Sequence, residues 1–215
     1  MRLIIVRHGE SEGDILNVHE GRADFHLTER GHAQAEALGL YIRDNYKVDK
    51  IYASPLKRAH ETAQHISENT GVSIIKEELL MEFNNGLLAG LSWEEADEKY
   101  PRILNLPIHE AVYEQESKLE FRHRAEVAVS KIITEAKKEE ALLQEKGLLQ
   151  DEKEITVLVV SHGGMINQLF HVLLKMPVED GVVFATGDTG LHEWIVRDDV
   201  KYLLKENCQE HLKEC

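Results

Sequence analysis

The amino-acid sequence predicts an α/β fold, a three-layer α/β/α sandwich built on a mostly parallel sheet. Short apolar runs rich in β-branched residues, at 3–6 and 155–160, have the length and composition of buried strands. Apolar residues also recur at helical spacing in other segments, such as 35–42 and 121–136. Strand and helix signals alternate over all 215 residues, which is typical of a sheet covered by helices on both faces.

The first half of the chain is predicted to contain two strands, each followed by a helix. After the strand at 3–6 comes a polar loop, and Thr28 is the predicted N-cap of the first long helix. A second strand is expected at 48–53. Ser54 and Pro55 then match the N-cap and the first position of another helix, because Ser accepts hydrogen bonds from free helical N–H groups and Pro lacks an N–H.

The second half is predicted to continue the alternation. A third strand is expected at 72–75, followed by a loop at 79–91 that is long enough to reach a pocket. A capping box at Ser92 predicts a short helix. Residues 117–146 form a predicted long amphipathic helix, and the polar run 139–154 is interpreted as a solvated surface excursion. The last predicted elements are the strand at 155–160, a helix at 165–174, and strands at 190–196 and 202–204.

The composition argues against several classes of protein. With 25 basic and 39 acidic residues the net charge is −14, which repels nucleic acid and anionic membranes. The sequence shows no signal-type N-terminus and no run of about 18 apolar residues, so we expect a cytoplasmic protein. Cys208 and Cys215 stand in a polar tail and predict no disulfide framework. The 12 histidines lack the spacing of a zinc site, and we expect no metal.

Two histidines follow directly after predicted strands. Arg7 and His8 end the first strand, and His162 ends the strand at 155–160. Because the carboxyl ends of parallel strands meet at one edge of a sheet, both rings are expected in one pocket. A neutral imidazole is a competent nucleophile, and Arg7 and Arg58 supply the positive charge and planar donors that a phosphoryl group needs. The pattern therefore predicts a phosphoryl-transfer site.

Ordinary structural roles are the alternative interpretation of these residues. Arg7 can pair with a carboxylate at the strand end, and His8 can be a hydrogen-bonded core histidine. This alternative must also account for His162, which is followed by Gly163 and Gly164, small residues that leave room for a ligand. The functional interpretation is therefore favoured.

Several motifs occur together along the chain in one order. They are Arg7-His8-Gly9-Glu10-Ser11, Gly21 with Asp24, Leu27-Thr28-Glu29-Arg30-Gly31, Ser54-Pro55-Leu56-Lys57-Arg58-Ala59 with Thr62-Ala63, Glu82 with Gly86 and Gly90, and Ser161-His162-Gly163-Gly164. In these motifs the chain resembles the histidine phosphatase superfamily, also called phosphoglycerate mutase-like. The resemblance implies a phosphoglycerate mutase-like fold and a single domain over 1–215, with a mainly helical lid or insertion at about 92–150. It also implies a reaction through a phosphohistidine, without metal or cofactor.

The resemblance implies a role for each candidate site residue. His8 would be the nucleophile that takes the phosphoryl group, and Arg7, Arg58 and His162 would bind its oxygens. Glu82 would donate a proton to the leaving alkoxide and later withdraw one from water. The predicted substrate-binding residues are Asp14, Glu20, Gly21, Arg22 and Gly163.

Departures from the family pattern bear on the substrate. Asp14 and Asp188 stand where the family often has Asn, and Glu20 stands where Gln, Ser or Thr is usual. These acids make the outer pocket more negative, which is compatible with a hydroxyl-rich or cationic leaving group. Phe83 follows the catalytic-type Glu where the mutases carry an Arg, so a bidentate clamp for a substrate carboxylate is missing.

We therefore expect a metal-independent phosphomonoesterase that hydrolyses a small phosphorylated metabolite. One alternative is mutase-type phosphoryl transfer to a second hydroxyl. Another is a non-catalytic, phosphate-binding regulatory module with the same fold. The expected partner is the small phosphorylated substrate, with no nucleic acid and no membrane, and the identity of the substrate and the oligomeric state stay open at this stage.

Overall fold

The described part of the chain forms a six-stranded sheet in which four strands are parallel. The computed structural model describes residues 1–146, 154–178, 181–197 and 200–213. The strands are β1 (Arg2–Arg7), β2 (Lys50–Ala53), β3 (Ile74–Lys76), β4 (Thr156–Ser161), β5 (Leu191–Arg197) and β6 (Val200–Cys208). In the order β3-β2-β4-β1-β5-β6, the first four are parallel, and β5 and β6 are antiparallel to their neighbours. The predicted mostly parallel sheet is confirmed.

Helices cover both faces of this sheet. They are α1 (Glu12–Leu16), α2 (Glu29–Asn45), α3 (Lys57–Thr70), α4 (Trp93–Lys99), α5 (Lys118–Glu145) and α6 (Gly163–Leu173), with short 3-10 helices at Glu78–Leu80, Gly86–Leu88 and Glu210–Leu212. On β1, Ile4 and Val6 pack with α2 and α3, whereas Leu3 and Ile5 pack with α5 and α6. The alternation gives two buried layers and confirms the three-layer sandwich. Within the described ranges, no helix combines the length and apolar character of a membrane span.

The pairing of β1 with β4 determines where the polar strand ends lie. The two central strands are parallel neighbours, and Arg7 is the register partner of Ser161. One residue further on, the backbone N–H of His8 donates to the carbonyl of Ser161 at 3.0 Å. His8 and His162 therefore leave the sheet side by side, at its carboxyl edge.

Several predicted helix starts are confirmed by their capping contacts. Thr28 precedes α2, and its side chain accepts a hydrogen bond from the Gly31 N–H at 3.0 Å. Ser92 precedes α4 and forms a capping box with Glu95. These local signals were sufficient to locate both helices.

The predicted start of α3 at Ser54 is wrong. Helix α3 begins at Lys57. Its N-cap is Leu56, whose side chain cannot accept a hydrogen bond from the first turn. Ser54 instead continues the strand geometry of β2, because its N–H donates to the carbonyl of Val160 at 3.0 Å. The side chain of Asp24, distant in sequence, accepts from the Lys57 N–H at 2.7 Å. Ser54 is thereby available for the site described below.

Other differences from the predicted elements are small. Strands β2 and β3 each begin two residues later than predicted, and β6 is longer. Cys208 consequently ends a strand and is partly buried, whereas Cys215 lies outside the described residues. Of the predicted surface excursion at 139–154, the first part belongs to α5, and residues 147–153 also lie outside the described ranges.

Gly31, in the first turn of α2, is required by a close backbone approach. A Cβ atom there would lie 2.0 Å from the carbonyl oxygen of Glu10. We expect Gly31→Ala to lower the free energy of unfolding by about 2 kcal/mol, because the backbone has to shift. Urea denaturation measures the change, with Gly71→Asn as control, since Gly71 has open space and a left-handed φ that Asn tolerates. Equal stability of the two variants would contradict this explanation.

Candidate active site

The ring of His8 is buried and held in one tautomer. Its Nδ1 lies 2.7 Å from the carbonyl oxygen of Gly9, which can only accept, so Nδ1 carries the hydrogen. Its Nε2 accepts a hydrogen bond from Arg58 Nε at 3.2 Å. Burial, followed by the charges of Arg58 and Arg7, holds the pKa of His8 well below its ordinary value. The ring is a neutral imidazole with its lone pair on the Nε2 side.

His162 lies beside His8, as the sequence predicted. The two ring centroids are 5.1 Å apart, and His162 is the N-cap residue of α6. Its Nε2 is 2.8 Å from Ser54 Oγ, and its buried Nδ1 has no hydrogen-bond partner among the described residues. Burial and the neighbouring charge of Arg58 lower its pKa well below the ordinary value. An acceptor placed next to this ring would complete its hydrogen bonding.

Arg58, on the first turn of α3, is fully buried against His8. Its terminal nitrogens donate to the backbone carbonyls of Ala23, at 3.0 Å, and Gly21, at 2.9 Å. Its Nε lies 3.4 Å from a carboxylate oxygen of Glu20. The loop after α1 therefore holds the guanidinium in a defined plane next to the nucleophile candidate.

Arg7 pairs with carboxylates, which is the structural role considered as the alternative for it. One terminal nitrogen donates to the carbonyl of Thr186 at 2.9 Å. The other lies 3.2 Å from Asp14 Oδ1 and 3.5 Å from Asp188 Oδ1. The buried Nε has no hydrogen-bond partner among the described residues. Arg7 therefore forms ion pairs in a site where His8 and His162 also lie side by side. Its ion pairs do not argue against a functional role for the two histidines.

The acidic departures from the family pattern surround the two guanidiniums. Glu20 accepts a hydrogen bond from the Ser11 hydroxyl, and burial raises the pKa of its carboxyl despite the nearby Arg58. Burial likewise raises the pKa of Asp188, opposed by the charge of Arg7. These carboxyls contact the guanidinium nitrogens that a phosphate would need as donors. A raised pKa favours the protonated, neutral carboxyl, which binds a guanidinium less strongly and leaves it more easily.

Glu82 reaches the same region from the loop between β3 and α4. Its carboxylate accepts from the N–H of Phe83 at 2.7 Å and from the N–H of Gly164 at 2.8 Å. A Cβ atom on Gly164 would lie 2.5 Å from the Glu82 carboxylate, so glycine is needed for this approach. Through its contact with Gly164, two residues along the chain from His162, Glu82 lies at the N-terminal end of α6.

The remaining predicted substrate-binding residues, Gly21, Gly163 and Arg22, have different surroundings in the structure. Gly21 has a left-handed φ of 48°, and its carbonyl supports Arg58. Gly163 faces open space at the start of α6. Arg22 instead lies 3.9 Å from Glu116, and substrate contact by any of these three residues stays a prediction.

A cavity of about 360 Å³ opens beside Glu82. Its lining includes three carboxylates, those of Asp14, Glu20 and Glu82. Phe83 and Asn85, one and three residues after Glu82, form another part of the wall. The cavity has the size and position to hold the organic part of a phosphomonoester. Among the described residues, no group of three or more His, Cys, Asp and Glu side chains is arranged to hold a metal ion.

The sequence analysis did not predict that two further side chains, those of Ser54 and Arg124, contact the site. Ser54 was assigned to a helix cap, yet its hydroxyl contacts His162. Arg124 was not among the predicted site residues, yet it contacts the loop that carries Glu82. Arg124 stands three residues after the buried Phe121 on α5, so both lie on the same face of the helix. An arginine on this apolar face was the signal in the sequence that could have indicated a buried partner.

Comparisons with known proteins bear on this arrangement. The sequence model of the histidine phosphatase superfamily (branch 1) matches residues 3–209. Phosphoserine phosphatase 1 of Hydrogenobacter thermophilus is 29% identical over 218 residues, which cover 100% of this chain and 95% of that protein. The 2,3-bisphosphoglycerate-dependent phosphoglycerate mutase of Cytophaga hutchinsonii is 33% identical over 202 residues, which cover 92% of this chain and 90% of that protein.

A solved structure extends the similarity to the fold. A mycobacterial glucosyl-3-phosphoglycerate phosphatase, solved in complex with inorganic phosphate, aligns with a TM-score of 0.75 and 26% identity, covering 99% of each chain. The family match includes both strand-end histidines, the buried Arg58 and the loop carboxylate of Glu82. The chain therefore belongs to branch 1 of the histidine phosphatase superfamily.

Proposed function

We propose that the protein is a metal-independent phosphomonoesterase that hydrolyses a small phosphorylated metabolite through a phosphohistidine on His8. The observation that carries the proposal is the state of His8, a buried neutral ring whose Nε2 faces Arg58 and whose neighbour is His162. A nucleophile needs an unprotonated nitrogen, here Nε2, whose lone pair accepts a hydrogen bond from Arg58 until a phosphoryl group takes over the guanidinium. Family membership supports the same chemistry.

In the first step the phosphoryl group moves from substrate to enzyme. The guanidiniums of Arg7 and Arg58, with His162, bind its oxygens as Asp14, Asp188 and Glu20 give way. The lone pair of His8 Nε2 forms a bond to phosphorus while the bond from phosphorus to the substrate oxygen breaks. Glu82, protonated at this point, gives its proton to the departing oxygen, which leaves as an alcohol.

In the second step water replaces the nitrogen. Glu82, now a carboxylate, takes a proton from water while the water oxygen bonds to phosphorus and the bond to His8 Nε2 breaks. Phosphate leaves, and both His8 and Glu82 return to their starting protonation states. The Nδ1 hydrogen bond to Gly9 keeps the ring oriented through both steps.

Mutase-type transfer is the second candidate, because a relative carries that name. It requires the intermediate to return its phosphoryl group to a substrate hydroxyl. The residue after Glu82 is Phe83, whose ring packs against Phe121 at 5.3 Å between centroids, so no bidentate carboxylate clamp stands there. Hydrolysis is favoured for this reason. The intact set of catalytic-type groups argues against a non-catalytic module.

The organisation of the chain around the site belongs to the same proposal. We infer a single domain over 1–215 in which residues 92–150 form a lid or insertion beside the pocket. The side chains of Trp93 and Tyr113 line a second cavity of about 350 Å³ there, next to His19. A cytoplasmic location and the absence of nucleic-acid partners remain predictions from composition.

Removal of the nucleophile tests the central assignment. We expect His8→Ala to lose turnover by at least roughly 10⁴-fold and to form no phosphoenzyme, because the covalent route is closed. The measurement is ³²P retention on protein denatured in alkaline detergent, where phosphohistidine survives. His123→Ala, on the exposed side of α5, is the control and should retain label. Label retained on His8→Ala would assign the nucleophile to another residue.

The protonation of His8 gives a further test. Its pKa lies well below 6.5, so the ring is neutral at pH 6.5 and gains a proton only at lower pH. NMR titration of ¹³C-labelled histidine measures this directly. Arg58→Gln removes one positive charge and should raise the His8 pKa, whereas Arg43→Gln on the exposed end of α2 should not. Titration of His8 near pH 6.5 in the unmodified protein would refute the neutral ring.

The charge of the leaving group is expected to matter. Because Asp14, Glu20 and Glu82 line the cavity, a carboxylate on the leaving group should lower kcat/KM by roughly tenfold relative to a neutral one. The comparison uses 3-phosphoglycerate, propyl phosphate and 2-aminoethyl phosphate, scored by released phosphate. The ammonium compound should be hydrolysed at least as well as the propyl ester. Glu20→Gln should reduce the differences in kcat/KM among the three esters. A preference of the unmodified protein for 3-phosphoglycerate would show that the organic part of the substrate binds elsewhere.

A further inference from the structure

The loop that carries Glu82 is held by one arginine of α5. Arg124 donates through one terminal nitrogen to the carbonyls of Leu79, at 2.8 Å, and Met81, at 2.7 Å. Its other terminal nitrogen donates to the carbonyl of Glu82 itself at 3.1 Å. A single side chain therefore satisfies three carbonyls leading up to and including the proposed proton donor.

Glu116 completes the attachment on the other side of Glu82. Its carboxylate pairs with Arg124 through two nitrogens, at 2.6 and 3.2 Å. It also accepts from the N–H of Asn84 at 2.6 Å, and the Glu116 N–H donates to the Asn84 carbonyl at 2.9 Å. The pair thus contacts the backbone before and after Glu82.

Burial makes this pair rigid. The side chains of Arg124 and Glu116 are only 12% and 9% exposed, and the Arg124 guanidinium lies 4.9 Å from the centroid of the Phe121 ring. Loss of Glu116 would leave the buried guanidinium of Arg124 without its carboxylate partner. The regular structure of the loop is limited to short 3-10 helices, and the guanidinium supplies hydrogen bonds to its carbonyls at Leu79, Met81 and Glu82.

We propose that Arg124, aligned by Glu116, is a positioning residue that sets the place of the Glu82 carboxyl relative to the departing oxygen. The inference rests on the proposed function, in which Glu82 protonates the leaving group. Arg124 reaches only backbone atoms of the loop and acts through Glu82. Its planar fork bonds three carbonyls and the Glu116 carboxylate from three separate nitrogens, which the single nitrogen of a lysine cannot reproduce.

The test separates positioning of the proton donor from general support of the fold. A p-nitrophenolate leaves without a proton, whereas an alkoxide needs one. The ratio of kcat/KM for propyl phosphate to that for p-nitrophenyl phosphate therefore reports the proton donor alone, because kcat/KM covers the steps up to departure of the leaving group. A purely structural defect lowers both values together and leaves the ratio unchanged.

We expect Arg124→Lys to lower kcat/KM for propyl phosphate by roughly 30-fold and for p-nitrophenyl phosphate by no more than about threefold. Glu82→Gln is the benchmark and should show the same selectivity with a larger loss. Adding Arg124→Lys to Glu82→Gln should produce no further selective loss, since both act on one proton transfer. Glu116→Gln keeps the shape of the partner and should give a smaller selective loss, which provides a second variant if Arg124→Lys does not fold.

Arg122→Lys is the matched control. Arg122 is also buried on α5, bonds to Glu126 and donates to the carbonyl of Met176 at 2.8 Å, away from the loop that carries Glu82. Its substitution should leave the substrate ratio unchanged. An unchanged ratio in Arg124→Lys and Glu116→Gln, with Glu82→Gln selective, would overturn the positioning role. An unchanged ratio in Glu82→Gln would instead overturn the proton-donor assignment on which the role depends.

Discussion

The parallel pairing of β1 with β4 is the constraint on which the site depends. Because Arg7 and Ser161 are register partners, the next residues of both strands emerge together at the carboxyl edge of the sheet. Apolar side chains on both faces of these strands are closely packed in the two halves of the core, and this packing holds the register. The position of His8 against His162 is therefore a consequence of the packing of the whole core, and no local contact between the rings is needed to produce it.

Burial of positive charge around two imidazoles determines their chemistry. Burial, followed by the charges of Arg58 and Arg7, lowers the pKa of both rings, which favours their neutral form. The same guanidiniums require compensation in the absence of an anion, and Glu20, Asp14 and Asp188 provide it. In the proposed mechanism, phosphate binding exchanges these carboxyl partners for phosphate oxygens, and burial raises the pKa of Glu20 and of Asp188, which eases their release.

The sequence was sufficient for the fold class, the superfamily and the hydrolase class, which are confirmed. Caps such as Thr28 and motifs at strand ends carry local signals, so they were readable without coordinates. The role of Ser54 could not be predicted in this way, because its contacts with Val160 and His162 join segments more than one hundred residues apart. The local sequence showed only a pattern typical of a helix cap. Arg124 was accessible in principle, since it shares the helical face of Phe121, but its partners on the distant loop were not.

The way the loop after β3 is held separates catalysis from specificity. Arg124 and Glu116 contact this loop through backbone carbonyls and one backbone N–H, so they fix Glu82 regardless of the side chains that follow it. Phe83 and Asn85 line the cavity, and their side chains take no part in the hydrogen bonds that Arg124 and Glu116 form with the loop. Under the proposed function, an aromatic residue in place of a carboxylate clamp changes the leaving group that is accepted, while Arg124 and Glu116 hold the proposed proton donor in place. This explains physically how relatives named as a mutase and as a phosphatase can share one scaffold.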